Sequence, residues 1–330
     1  AHHHSNQKRK RHAVKTSASI KAITIGGIAL LALTSCASNE GGTTETTDGA
    51  ASSLSGSLVG VGASSMGAAQ EAWIAGFQTE NPDVTVNYDP AGSGAGRETF
   101  QQGGSNFAGS DRAFKVDEIT AGPFESCAVD SGIVELPIYV SPIAVIFNLD
   151  GVESLDLDAA TIAKMFRGEI AKWNDPAIAA LNEGVELPDL AINPVHRSDE
   201  SGTTENFVEY LSAAAGDVWT DEVSGDWPTA LGGEAAQGTS GVVDTVTNGV
   251  GTIGYADASR AEGLGTVAVK VGDEFVPYSP EAAAAIVDAS PLVRDTDLLF
   301  DRRDLRRDLD LAGRRIRGDR HESELVRRTA

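Results

Sequence analysis

The sequence predicts an α/β fold made of two lobes with a ligand cleft between them. Three observations carry this expectation. Strand-like and helix-like runs alternate from residue 57 onward, a pattern that lays down mainly parallel sheet. Glycine- or hydroxyl-rich turns stand at strand-to-helix junctions, beyond the carboxyl ends of strands, where open sheets hold ligands. Two β-rich runs, 134–149 and 251–255, are spaced to cross between lobes, and a cleft between lobes is a common seat for a small ligand.

The elements read as follows. Residues 57–61 form a buried strand, and 62–65 turn into a helix over 67–79 with Trp73 and Phe77 four apart on one face. Val84, Val86 and Tyr88 alternate as a strand does. A second glycine-rich turn, 92–96, precedes another helix, and 106–111 makes a third turn. The run 134–149 is β-rich but broken at Pro137 and Pro142, which have no backbone N–H to donate. Residues 159–173 form an amphipathic helix, with Ile162, Met165, Phe166, Ile170 and Trp173 packing into a core. The span 187–194 leads to a fourth turn, and a further helix occupies 204–211. The boundaries expected are 57–138 with 255–300 for the first lobe and 139–254 for the second.

The 330 residues suffice for about two domains, and 41% hydrophobic content supplies their cores. Charge is uneven. The formal net is −22, but residues 1–35 carry six Lys/Arg and no acid, and 301–330 carry ten Arg against seven acids. Of the 26 basic and 48 acidic residues, 10 and 41 remain in 36–300, a net of −31. Such a surface disfavours nucleic acid and anionic membrane as partners of that region. Residues 1–35 read as an export signal: a basic stretch at 8–11, a short apolar run at 20–33, then Leu33-Thr34-Ser35-Cys36. That ending resembles a bacterial lipobox, with Cys36 the lipidated first residue of the mature chain. Residues 36–56 read as a flexible polar tether. With Cys36 lipidated, Cys127 has no partner for a disulfide. The tail 301–330 is arginine-rich, without aromatics or a strand pattern.

Within this acidic chain the segment Arg197-Ser198-Asp199-Glu200-Ser201-Gly202-Thr203-Thr204 forms an anion cradle. It sets a guanidinium and several hydroxyls just before a helix, whose free N–H groups and dipole favour negative charge. An anion held there depends on local donors, because the overall field repels it. Catalysis and metal binding have little support. His196 is the only histidine between His12 and His321, no Gly-x-Ser-x-Gly elbow occurs, no phosphate loop ends in Gly-Lys-Ser/Thr, and three early histidines do not make a metal site.

Taken together, these segments resemble the phosphate-binding proteins of the Pst-type phosphate ABC importer. Gly60 to Ser65 is similar to the family's first ligand turn, with Ser65 in place of the usual aromatic. Tyr88 to Gly96 resembles the second turn, and Gly109-Ser110-Asp111 matches the family's Gly-Ser-Asp element. Arg197 to Thr203 matches its Arg-x-Asp-x-Ser-Gly-Thr element, and 162–178 resembles a characteristic helix and turn. The resemblance spans residues 57–290. It implies a class II binding-protein fold and no enzyme activity or cofactor. The implied ligand is inorganic phosphate, bound by Ser64, Ser65, Ser93, Asp111, Arg197, Ser201, Gly202 and Thr203, with Asp199 bracing Arg197. It implies delivery to ABC permease subunits from a lipid-anchored, extracytoplasmic position. An ionised Asp111 only accepts hydrogen bonds, which suits a protonated oxyanion and opposes sulfate. A sensor or adhesin with the same site, or a phosphate-ester hydrolase using Ser93 or Ser201, are the alternatives. The departure is at the C-terminus, where the family continues with an apolar strand and helix. A truncated or frameshifted reading frame is the expected explanation.

Overall fold

A computed structural model describes residues 54–128, 131–140 and 142–289. The segments expected to be an export signal and a tether, up to residue 53 and with Cys36 among them, and the arginine-rich tail lie outside these residues. In chain order the first elements are β1 (Gly56–Gly62), α1 (Gly67–Glu80), β2 (Val84–Asp89), α2 (Ser93–Gln101), β3 (Phe107–Gly109) and α3 (Val116–Ala121). They form a small parallel sheet of order β2-β1-β3. Next come β4 (Ile143–Phe147), β5 (Ser154–Leu157), α4 (Ala159–Phe166), α5 (Pro176–Leu181) and β6 (Asn193–Arg197). Then follow α6 (Gly202–Ala214), β7 (Glu234–Ala236), α7 (Gly238–Asn248), β8 (Thr252–Asp257), β9 (Gly265–Val271), β10 (Glu274–Val276) and α8 (Pro280–Ala289). Their seven strands form a mixed sheet of order β10-β9-β4-β8-β6-β7, with β5 pairing β9.

The larger sheet is packed on both faces. Along β4 the side chains alternate: Val145 and Phe147 enter a core with Leu157, Ile162, Phe166, Trp173, Leu211 and Tyr255. Ala144 and Ile146 enter a second core with Val195, Val242 and Val246 beneath α7. β4 and β8 run antiparallel as direct neighbours, so the two expected crossing segments form one ribbon. Local signals set the helix starts here. Asp158 caps α4 by accepting from Thr161 N at 2.7 Å, and Asp175 caps α5 ahead of Pro176.

Several expectations change. The helix foreseen over 159–173 ends at Phe166, because Gly168 takes φ +74° and turns the chain. Ile170 and Trp173 still reach the core, Trp173 donating its Nε1–H to Gly251 O at 3.0 Å. The run 134–149 yields only β4 as strand. β1 is not buried along its length: Leu58 and Val59 are exposed, and burial begins at Gly60 where α2 packs. Trp73 and Phe77 share a face of α1 that points outward, each about 40% exposed. β9 and β10, expected in the first lobe, extend the larger sheet, since β9 pairs with both β4 and β5. His196 is a packed side chain: its ring stacks on Trp227 at 4.9 Å, and Nδ1 lies 2.9 Å from Arg197 O.

Candidate functional site

The turns of the small sheet are stitched together through the backbone. Gly92 N donates to Gly62 O at 2.9 Å, and Ala63 N donates to Gly109 O at 2.9 Å. Tyr88 adds its hydroxyl, donating to Ala63 O at 2.9 Å. The three turns therefore hold fixed positions relative to one another. In the first, Ser64–Met66 makes a short 3-10 turn before α1. In the second, Gly92 takes φ +111°, and Ser93 opens α2. The third differs from the sequence reading, because α3 begins only at Val116 and Asp111 stands in an open turn.

On the larger sheet β6 delivers a buried Arg197 at its carboxyl end. Its Nε donates to Asp199 Oδ1 at 2.8 Å, and its Nη2 donates to Asp199 Oδ2. Asp199 Oδ1 also accepts from Gly238 N, at 3.0 Å, at the start of α7. Ser201 caps α6 by accepting from Thr204 N at 3.2 Å, so the helix starts at Gly202, two residues earlier than expected.

The two sets of turns meet at Asp111. Oδ1 of Asp111 accepts from Ser65 Oγ at 2.5 Å, and Oδ2 accepts from Thr203 Oγ1 at 3.0 Å. Asp111 N donates to Ser93 Oγ at 3.2 Å, and Gly202 lies against both Ser93 and Asp111. Ser65, Ser93, Asp111, Gly202 and Thr203 thus form one cluster, with the buried Ser201 beside them at the α6 start. Ser64 stands apart from it: its Oγ contacts Thr239 Oγ1 at 3.1 Å and accepts from Thr239 N at 3.0 Å. Chemically the cluster offers hydroxyls, the amino end of α6 and one carboxylate, with the Arg197–Asp199 pair at the end of β6 in the same segment as Ser201 to Thr203.

Electrostatics tighten this arrangement. Burial alone would raise Asp199, but the hydrogen bonds and charge of Arg197 outweigh it and hold the carboxyl below its usual range. Burial pushes the Tyr255 hydroxyl up to about 12, so it stays a neutral partner beneath the site. There it accepts from Arg197 N at 3.3 Å and lies 2.8 Å from Thr204 Oγ1. Among the described residues no group of three or more His, Cys, Asp or Glu could hold a metal ion.

Sequence reasoning missed two parts. Gln237-Gly238-Thr239 is a further polar helix start, with Gln237 at the cap and Gly238 and Thr239 opening α7, and the signal that marked the other turns could have found it. The ion pair between Arg97 and Glu200 had no local signal, since its members lie 103 residues apart.

This architecture defines a two-lobed α/β fold of the periplasmic-binding-protein kind, in which polar turns of both sheets converge on one cluster. The chain belongs to the PBP superfamily and, within it, to the PstS phosphate-binding proteins; the family profile described as a PBP superfamily domain matches residues 41–304. The phosphate-binding protein PstS 3 of Mycobacterium leprae is 34% identical over 245 residues, covering 73% of this chain and 65% of that protein. The chain thus spans under two thirds of the length of that relative. The phosphate-binding protein PstS 2 of Mycobacterium tuberculosis is 32% identical over 304 residues, covering 87% of this chain and 80% of that protein. A crystal structure of a phosphate binding protein from Stenotrophomonas maltophilia shares the fold, with a TM-score of 0.52 at 21% identity over 73% of this chain and 70% of that one.

Proposed function

We propose that this protein captures inorganic phosphate outside the cytoplasmic membrane and delivers it to an ABC permease, binding it without catalysis. The observation that carries the reading is the convergence on Asp111, which takes hydrogen bonds from Ser65 and Thr203 on opposite walls of one cleft. The donors Ser65, Ser93, Arg197, Ser201, Gly202 and Thr203 suit the oxygens of an anion, Ser64 joins them by exchanging Thr239 for the ligand, and the amino end of α6 adds unpaired N–H groups. Asp199 occupies Nε and Nη2 of Arg197, which leaves Nη1 to turn toward the ligand. A carboxylate has lone pairs to receive the proton that phosphate keeps near neutral pH. Sulfate brings no proton and leaves those lone pairs facing negative charge. In this reading the cleft lies between lobes built on the small and large sheets.

The lipobox-like Leu33-Thr34-Ser35-Cys36 supports a lipid anchor on Cys36. No helix among the described residues is long and apolar enough to cross a membrane. The same-family relatives named as phosphate-binding proteins support the ligand.

Calorimetric titration of the full chain with phosphate and with sulfate tests this function. Phosphate binds and sulfate does not. Asp111→Asn narrows that preference by at least about tenfold, since an amide can donate to either anion. A parent protein blind to phosphate, or an unaltered preference in Asp111→Asn, overturns the assignment.

A further inference from the structure

Four charged residues outside the ligand cluster span the cleft. Arg97, on α2, is buried; its Nη1 donates to Ser110 Oγ at 2.8 Å and its Nη2 donates to Glu200 Oε1 at 2.8 Å. Ser110 adjoins Asp111, and Glu200 adjoins Ser201, so one guanidinium links the two turns that carry the site. Arg112 lies on the other side of Asp111 in the chain. It grips Glu118 through two bonds of 2.7 Å, and its Nε lies 3.0 Å from Glu205 Oε2 in the first turn of α6. Arg97 Nε stands 4.0 Å from the same Glu118, which ties the two arginines into one network.

We propose that Arg97 and Arg112 of the small-sheet lobe, with Glu200 and Glu205 of the large-sheet lobe, form an ionic clasp that holds the cleft shut over its ligand. This rests on the phosphate reading above for the identity of that ligand. The shape of the contact is built in. A Cβ on Gly94 would lie 1.9 Å from Glu200 Oε2, so the glutamate reaches across only because residue 94 has no side chain. Helix propensity alone would favour alanine there, within α2. All four side chains are at least two-thirds buried, so salt screens them little; Arg97–Glu200 is a charge-assisted hydrogen bond, while Arg112 Nε and Glu205 Oε2 meet as an ion pair without hydrogen-bond geometry. Bonds that join the lobes must break before a bound ligand can leave. They therefore act on release more than on capture.

Stopped-flow release of phosphate from the full chain tests the clasp, using Arg97→Met, Glu200→Gln, the double variant and Gly94→Ala. Each single change accelerates release about tenfold or more, as loss of one partner of a desolvated pair does. Arrival changes by less than about threefold. The double variant releases no faster than the quicker single, because both remove the same contact. Gly94→Ala displaces Glu200 without removing a charge and gives the same acceleration. Unaltered release from folded Glu200→Gln and Gly94→Ala, or additive effects in the double variant, overturns the clasp. Should the parent bind no phosphate in calorimetry, the phosphate reading falls by itself. The clasp is then judged by small-angle scattering: a larger radius of gyration for Glu200→Gln supports it, and equal radii overturn it.

Discussion

Replacing Gly202 with alanine places one methyl group where α6 lies against Ser93 and Asp111. An added Cβ would lie 2.6 Å from Asp111 Cβ and 2.7 Å from Ser93 Oγ. Carbon atoms rest at about 3.5–4 Å, so the two walls must part by roughly 1 Å. The Thr203–Asp111 hydrogen bond, now 3.0 Å, would stretch to about 4 Å and cease to be one. The amino end of α6 retreats from Ser93 by the same amount. Hydrogen bonds to charged groups contribute about 1.5–3 kcal/mol each. Losing one and weakening a second removes about 2–4 kcal/mol of binding, or roughly 30- to 1000-fold in affinity for phosphate. Folding is not the cause, because alanine is the better helix former at this position within α6. Calorimetry gives the affinity, and a thermal melt confirms the fold. An affinity within about threefold of the parent, with an undisturbed melt, would refute the claim that the cleft closes at Gly202.

Two further substitutions probe the frame of the site. Phe166 packs its ring against Phe207, Tyr255 and Trp227 at 4.9, 5.9 and 5.9 Å. Phe166→Ala therefore loses about 3–5 kcal/mol in urea unfolding, and a loss below about 1 kcal/mol contradicts that packing. Glu118 is lowered from 4.5 to about 2, chiefly by its hydrogen bond from Arg112. A carboxyl depressed in the folded state stabilises above its unfolded value and loses that contribution as pH falls through the folded one. Discounted for solvent access, Glu118→Gln is about 1–2 kcal/mol less stable than the parent at neutral pH. The gap closes between about pH 4.5 and pH 2, and a gap of constant size across that range argues against the pairing.

The alternation of β2 and the apolar stripe at Ile162, Met165 and Phe166 were legible because each reflects a local period. The polar turns were legible because helix starts need caps and unpaired N–H groups, and Ser93, Ser201 and Gly202 sit at such starts. What failed was tertiary. A long amphipathic pattern does not reveal that Gly168 breaks it, since buried positions continue through Trp173 by another path. Apolar character in β1 and α1 suggested burial, but burial depends on what other segments cover, and Leu58 and Trp73 are left open. Allocation of β9 to a lobe required its partners β4 and β5, which no local pattern states. The clasp lay further out of reach, because a charge at position 97 reads as a solvated surface residue until Glu200 is seen against it.

The pairing of Arg197 with Asp199 also alters how the site meets its ionic surroundings. Within the cradle segment Arg197 is matched by the carboxylate of Asp199, and Asp111 contributes another. A dianion gains no net Coulomb attraction from these three groups. It exchanges water for oriented hydroxyls and amide dipoles at near-contact distance. Dissolved salt weakens interactions over about 8–10 Å but hardly touches buried contacts of 3 Å. On the proposed reading, retention of the ligand is therefore indifferent to salinity, while its approach to a surface of net −31 over residues 36–300 quickens as ions accumulate.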